Sequence, residues 1–165
     1  MNIQTNNQKI EPFLWFDRNA EEAVNFYVSL FDNSKITSTT YFGSEGGGPE
    51  GTVMTMGFNL NGLQFAALNG GPMYKLTEAF SLAVHCKDQA EVDRYWDAFV
   101  ADGAKPLACG WITDRYGLTW QIIPDKFLEM VGSGEAEKTA RMMKAMMGMV
   151  KLDEQALLAA FEGNN

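Results

Sequence analysis

The stretch IEPFLWFDRNAEEAVNFYVSLF, Ile10–Phe31, changes its hydrophobic period midway. Ile10–Phe16 is a short apolar run of strand length. After the polar turn Asp17-Arg18-Asn19, apolar residues fall at Ala20, Ala23, Val24, Tyr27, Leu30 and Phe31, the spacing of a helix with one buried face. Glu21 and Glu22 fall in the first turn of that helix, where the helix dipole favours acidic side chains. The stretch therefore predicts a strand followed by a helix.

Three strand-like segments follow: Ser34–Phe42, Thr52–Leu60 and Leu63–Leu68. The last two are separated only by Asn61-Gly62, a pair suited to the positive φ angles of a tight hairpin. The second half repeats the order. Ala79–Cys86 reads as a strand, and Asp88–Asp102 as a helix striped by Val92, Tyr95, Trp96 and Phe99, with Gly103 as its stop. Strands follow at about Lys105–Cys109, Trp111–Asp114 and Leu118–Ile123. A shift of 68 positions lays Val24 on Val92, Tyr27 on Tyr95 and Phe31 on Phe99. The unit is βαβββ, used twice: residues 1–72 and 73–124, joined near Leu68–Pro72, within a single domain of 1–165. A helical tail occupies 125–165, with Asp153 placed as an N-cap. Met142, Met143, Met146, Met147 and Met149 cover too wide a helical face for one stripe. They suit core gap-filling, an adaptable contact surface or a dimer interface.

At 46% hydrophobic and 21% charged over 165 residues, the composition is that of a soluble globular protein. A net charge of −8 without clustered Lys or Arg argues against nucleic acid as a partner. No apolar run is long enough to span a membrane, and the opening MNIQTNNQKI lacks the apolar core of a secretory leader, so no membrane partner and a cytoplasmic location are expected. Cys86 and Cys109 lack CxxC spacing, which fits a reducing compartment and two small core residues.

In wording as well as pattern, the chain resembles the PhnB-like branch of the glyoxalase/bleomycin-resistance/dioxygenase, or vicinal-oxygen-chelate, superfamily. The resemblance is carried by PFLWFDRNAEEAVNFYVSLF, LNGLQFAALNGGP, EVDRYWDAF, CGWITDRYGLTWQIIP and MKAMMGMVKLDEQALLAAFEG, and covers almost the whole chain. It implies an α+β fold in which two βαβββ modules form a U-shaped mixed sheet around a cleft, in a homodimer. It does not supply a reaction, because this fold hosts enzymes and pure binding proteins alike. Related sequences often carry the label demethylubiquinone methyltransferase. A methyl-donor site would need a glycine-rich turn between a strand and a helix, whereas GGGPEG, Gly46–Gly51, precedes a strand and contains Pro49, as a flexible loop does.

Side chains alternate across a strand. In CGWITDRYGLTWQIIP, Cys109–Pro124, the set Leu118, Trp120 and Ile122 suits a face covered by a helix. The set Thr119, Gln121 and Ile123 then faces the cleft. The same parity puts Glu11, Phe13 and Trp15 in the cleft, with Pro12, Leu14 and Phe16 behind. It puts Ser81, Ala83 and His85 in the cleft, with Leu82, Val84 and Cys86 behind. Trp15 and Trp111 suit a stacking wall or core packing equally. Asp114-Arg115 reads as a turn-stabilising charge pair, and His85 as a partly exposed or hydrogen-bonded residue.

By the resemblance, the metal-ligand positions of the superfamily fall on Glu11, Ser81 and Gln121, with Gln64 a fourth. That set has one carboxylate, amides and a hydroxyl, a poor set for a divalent ion. The expectation is therefore no cofactor and no metal, with a divalent metal as the lesser alternative. The leading reading is a small-molecule binding protein whose ligand contacts are Glu11, Trp15, Ser81, Trp111 and Gln121, with Glu11 and Gln121 facing one cavity. The alternative is a lyase, isomerase or transferase using Glu11 as its catalytic base or metal ligand.

Overall fold

The computed structural model describes residues 8–164; the stretch 1–7, which opens the segment read above for a leader, lies outside them. The chain divides into two compact units, one ending at Leu76 and the other beginning at Thr77. The first contains β1 (Phe13–Phe16), α1 (Ala20–Leu30), β2 (Lys35–Tyr41), β3 (Val53–Leu60) and β4 (Leu63–Asn69). The second contains β5 (Ser81–Cys86), α2 (Gln89–Ala101), β6 (Lys105–Pro106), β7 (Trp111–Thr113) and β8 (Thr119–Pro124). The sheet orders are β1-β4-β3-β2 and β5-β8-β7-β6, the same arrangement twice. In each, the first strand lies parallel to the last, and the other pairings are antiparallel. The fold is α+β, two βαβββ modules followed by helices. Among the described residues, no helix is long and apolar enough to cross a membrane.

In both units the helix packs on the sheet face that alternation assigns to it. In the first, Leu14, Phe16, Phe58, Phe65 and Ala67 are buried with Val24, Tyr27 and Phe31 of the α1 stripe. Phe58 and Phe65, opposite each other on β3 and β4, stack at 5.2 Å. In the second, Ile112, Leu118, Trp120 and Ile122 are buried with Val92, Tyr95, Trp96 and Phe99, and Phe99 of α2 meets the Trp120 ring at 5.1 Å. The β3–β4 hairpin turns on Asn61 (φ 46°) and Gly62 (φ 96°), the positive pair expected of it.

The two helices start differently. Asp88 caps α2 from the adjacent position, accepting the Glu91 amide at 2.9 Å. Asn19, in the same position before α1, makes no side-chain cap. Asn69 does that work from the far end of β4: its Oδ1 accepts the Ala20 amide at 2.9 Å, while its Nδ2 donates to the Val53 carbonyl.

Two strands fall short of the sequence expectation by three residues, the others by two at most. The run from Ile10 is not all strand, since β1 begins at Phe13. Pro12 has no N–H to extend the ladder, and its carbonyl accepts the Ala66 amide instead. The strand expected over Lys105–Cys109 ends at Pro106, another residue without an N–H, and the chain then turns through left-handed backbone at Cys109 and Gly110.

Helices α3 (Asp125–Val131), α4 (Ala136–Met146) and α5 (Glu154–Glu162) belong to the second unit. Met130, Met142, Leu152, Leu157 and Phe161 form their core, with Met146 and Met149 against it and Met143 and Met147 exposed. Asp153 caps α5 through the Ala156 amide, as the sequence suggests. The tail is pinned to the module by backbone bonds from Cys109 to Met149 and from Gly110 to Val150, each 2.8 Å. A Cβ on Gly110 would lie 2.8 Å from the Leu152 side chain, so this contact demands glycine for space as well as for its φ of +80°. Gln89 donates to the Leu152 carbonyl and accepts the Glu154 amide, and Lys151 reaches Asp93 at 2.8 Å. The Lys151 ammonium holds Asp93 below the usual carboxylate range, and Asp93 raises Lys151 in return.

Alternation along β8 generates a contrast. Trp120→Ala should cost about 3–5 kcal/mol of unfolding free energy, whereas Gln121→Ala one residue later should cost less than about 1. Urea unfolding followed by circular dichroism measures both.

Candidate functional site

Strand β8 lies between β5 and β7, so its outward side chains have neighbours on both sides. On the face away from α2, Ser81, Thr119 and Thr113 form one row, and Ala83, Gln121 and Trp111 the next. Gln121 Nε2 donates to Ser81 Oγ at 2.8 Å, and the Thr113 and Thr119 hydroxyls bond at 2.9 Å. Trp111 and Gln121 are partly exposed, while Thr119 is buried. No donor reaches Gln121 Oε1 among the described residues. The result is a small polar patch with an indole on one flank and an alanine on the other.

The turn Asp114-Arg115-Tyr116-Gly117 holds this register from below. Asp114, 4% exposed, accepts the Tyr116 and Leu118 amides on Oδ1 and the Trp120 indole N–H on Oδ2, at 2.9 to 3.0 Å. Three donors offset the burial of a carboxylate. Arg115 pairs with Asp102 beyond the end of α2 at 3.0 Å. The turn is thus fixed by hydrogen bonds to backbone and indole, partners that a reading of adjacent charges does not reveal.

Of the residues singled out in the sequence, Ser81, Trp111 and Gln121 come together on this one face. Glu11 and Trp15 belong to the other unit. Glu11 stands exposed before β1, and its carboxylate makes no hydrogen bond or ion pair among the described residues. Trp15 is committed locally: its indole N–H donates to the Gly71 carbonyl at 2.8 Å and its ring meets Tyr74 edge-on. A Cβ on Gly70 would fall 2.3 Å from the Trp15 ring and Gly71 has a φ of +84°, which together explain the glycine pair in Leu68–Pro72. Gln64 donates to Thr37 at 2.9 Å, and Gln8 brackets the Gln64 backbone with two bonds. His85 lies 3.9 Å from Asp125, both about half exposed. The sequence places Thr119 on this face, but its partner Thr113 was passed over; strand parity, applied to β7 as well as β8, is the signal that would have found it.

The first unit also carries a cleft of about 730 Å³ beside the end of β4, walled by Phe42, Gly48, Pro49, Asn69, Gly70 and Met73. Gly46–Gly51 lies between β2 and β3, and its base is closed by bonds from Phe42 to Thr52 and from Gly51 to Phe42, both 2.9 Å. It joins two strands.

The donors do not suit a divalent metal. Ser81 and Gln121 are neutral and bonded to each other, and within neither unit do three His, Cys, Asp or Glu side chains converge among the described residues.

The sequence model of the family described as 3-demethylubiquinone-9 3-methyltransferase matches residues 8–123. A PhnB protein from Bacillus cereus, solved under that same description, is 40% identical, with a TM-score of 0.64 over 71% of this chain and 99% of its own. Protein PA1353 from Pseudomonas aeruginosa is 21% identical, with a TM-score of 0.59 over 71% of this chain and 97% of its own. A variant of the fosfomycin resistance protein FosX from Listeria monocytogenes, complexed with Mn(II) and 1S,2S-dihydroxypropylphosphonic acid, is 15% identical. Its TM-score is 0.52, over 67% of this chain and 86% of its own. The last two likenesses are of fold alone. No curated protein matches the chain.

The two thiols sit in contrasting surroundings near the ends of the site strands. Burial, reinforced by Glu91 and Asp125, pushes the Cys86 thiol up to about 12, so it stays protonated and unreactive at neutral pH. Cys109 is partly exposed. Ellman's reagent at mildly alkaline pH should therefore titrate one thiol in the native protein and two after denaturation. Two rapid native equivalents would contradict the burial of Cys86.

Proposed function

We propose a function from the premise that this chain belongs to the PhnB-like family described as 3-demethylubiquinone-9 3-methyltransferase, within the vicinal-oxygen-chelate superfamily. The protein is a small-molecule binder whose ligand lies on the open face of β5, β8 and β7, held by Ser81 and Gln121 and stacked on Trp111. The observation that carries this reading is the Gln121–Ser81 bond, a polar pair set at the centre of a sheet face beside an indole. An enzymatic role for Glu11 draws less support, because a general base benefits from desolvation and Glu11 is exposed.

Methyl transfer does not follow from the family description. The strand-to-helix turns of the two modules read Asp17-Arg18-Asn19 and Lys87-Asp88, with no glycine to let a backbone approach a nucleotide-like donor. S-adenosylmethionine is accordingly expected to give no heat in titration calorimetry and no thermal shift. Native mass spectrometry of protein taken from its host should show a retained organic ligand that Gln121→Ala loses while remaining folded. Retention by that variant would remove Gln121 from the site.

We also propose a homodimer. Leu128 and Val131 of α3, Met143 of α4, and Met147 and Val150 after it stay exposed on the tail, apolar surface of the kind a partner subunit covers. Light scattering at micromolar concentration should return twice the 18.3 kDa chain mass; a monomer mass would contradict the pairing.

A further inference from the structure

On the reading that the β5–β8–β7 face is the binding site, its hydrogen-bonding capacity limits what it can bind. A carboxamide offers two N–H donors and one carbonyl, and a hydroxyl one donor and two lone pairs. The single bond from Gln121 Nε2 to Ser81 Oγ uses one donor and one acceptor. Gln121 Oε1 is left as an acceptor and the Ser81 hydroxyl hydrogen as a donor, side by side. Turning the amide over exchanges these roles without changing their number: the amide N–H then faces outward beside a serine lone pair.

The surroundings add shape and exclude charge. Trp111 is the cross-strand partner of Gln121 on β7, and Ala83 its partner on β5, so an aromatic wall rises on one side of the pair and nothing bulky on the other. Thr113 and Thr119 bond to each other and bring no charge. Lys105, the cation in the Ser81 row, stands on β6, two strands from β8, roughly 10 Å at ordinary strand spacing. His85, farther along β5, lies beside Asp125. An anion placed against the pair would lose its hydration, and Lys105, two strands away, stands too far off to compensate by direct contact.

We infer that the face binds an uncharged planar molecule whose edge carries a hydrogen-bond donor beside an acceptor, such as an aromatic carboxamide, a lactam or a hydroxy-carbonyl compound. The donor–acceptor edge meets Ser81 and Gln121, and the ring stacks on Trp111. A phosphonate of the kind bound to FosX is the wrong class for this face.

Three probes with one ring separate the terms: nicotinamide, N,N-diethylnicotinamide, which has no amide N–H, and nicotinate, an anion at neutral pH. Binding is followed by NMR of the Gln121 side-chain amide and the Trp111 indole N–H. Nicotinamide should shift both signals. The other two should bind at least about tenfold more weakly, because each leaves a polar group of the pair unmatched. Gln121→Leu and Ser81→Ala should each erase the preference, measured on the Trp111 signal, and either variant serves if the other fails to fold. Tighter binding of nicotinate, or of propylphosphonate, that depends on Gln121 would overturn the ligand class while leaving the face as the site. If none of the probes shifts Gln121 up to its solubility limit, the class is likewise overturned. If the ligand retained from the host also survives both substitutions, the binding face itself is wrong.

Discussion

Strand β8 can bury Trp120 only by turning Gln121 the other way. Successive strand residues point to opposite faces, so the packing of Trp120 on Phe99 and the exposure of Gln121 beside Ser81 are one event seen from two sides. Asp114 locks that event: a buried carboxylate takes the Trp120 indole N–H and two amides of the turn that starts the strand. A slip of one residue would put an indole on the open face and an amide under α2, and would take the Trp120 indole N–H away from Asp114. The core and the candidate site therefore share one register, and a tool of stability doubles as a tool of site construction.

Duplication supplies the frame but not the site. Both modules have the same strand order and the same helix stripe, Val24, Tyr27 and Phe31 against Val92, Tyr95 and Phe99. Their open faces differ in chemistry. Where the second module sets Ala83, Gln121 and Trp111 in a row, the first sets Trp15, Leu68 and Thr55. Trp15 is drawn toward Gly70 and Gly71 and spends its only donor there. The helical tail is joined to the second module through the contact of Gly110 with Leu152 and the bonds of Gln89.

Much of this was legible in the sequence wherever a local rule governed it. The change of period at Asp17, the Asn61-Gly62 turn, the Asp153 cap and the parity of β8 each rest on neighbouring residues, and a single chain displays them. Long-range partners were not legible. Nothing near Asn19 says that its capping role passes to Asn69, 50 residues later. Nothing near Asp114 announces its bond to the Trp120 indole, since that bond exists only once the hairpin has closed. Glu11 shows the limit of extending a pattern: parity placed it on the strand, but Pro12 ends the ladder one residue too soon. Parity put Ser81 and Gln121 on one face because β5 and β8 pair in one sheet, whereas Trp111, singled out only as an aromatic, joins them through the pairing of β7 with β8.

The second module presents a sheet whose one face packs under α2 and whose other face carries the Gln121–Ser81 pair beside Trp111. The most direct test is a crystal structure of the protein soaked in the small-molecule fraction extracted from its host. The account predicts density for a flat molecule against Trp111, within hydrogen-bonding distance of Gln121 and Ser81. Density confined to the first module's cleft, between Phe42 and Met73, with the Gln121 face bare, would contradict it.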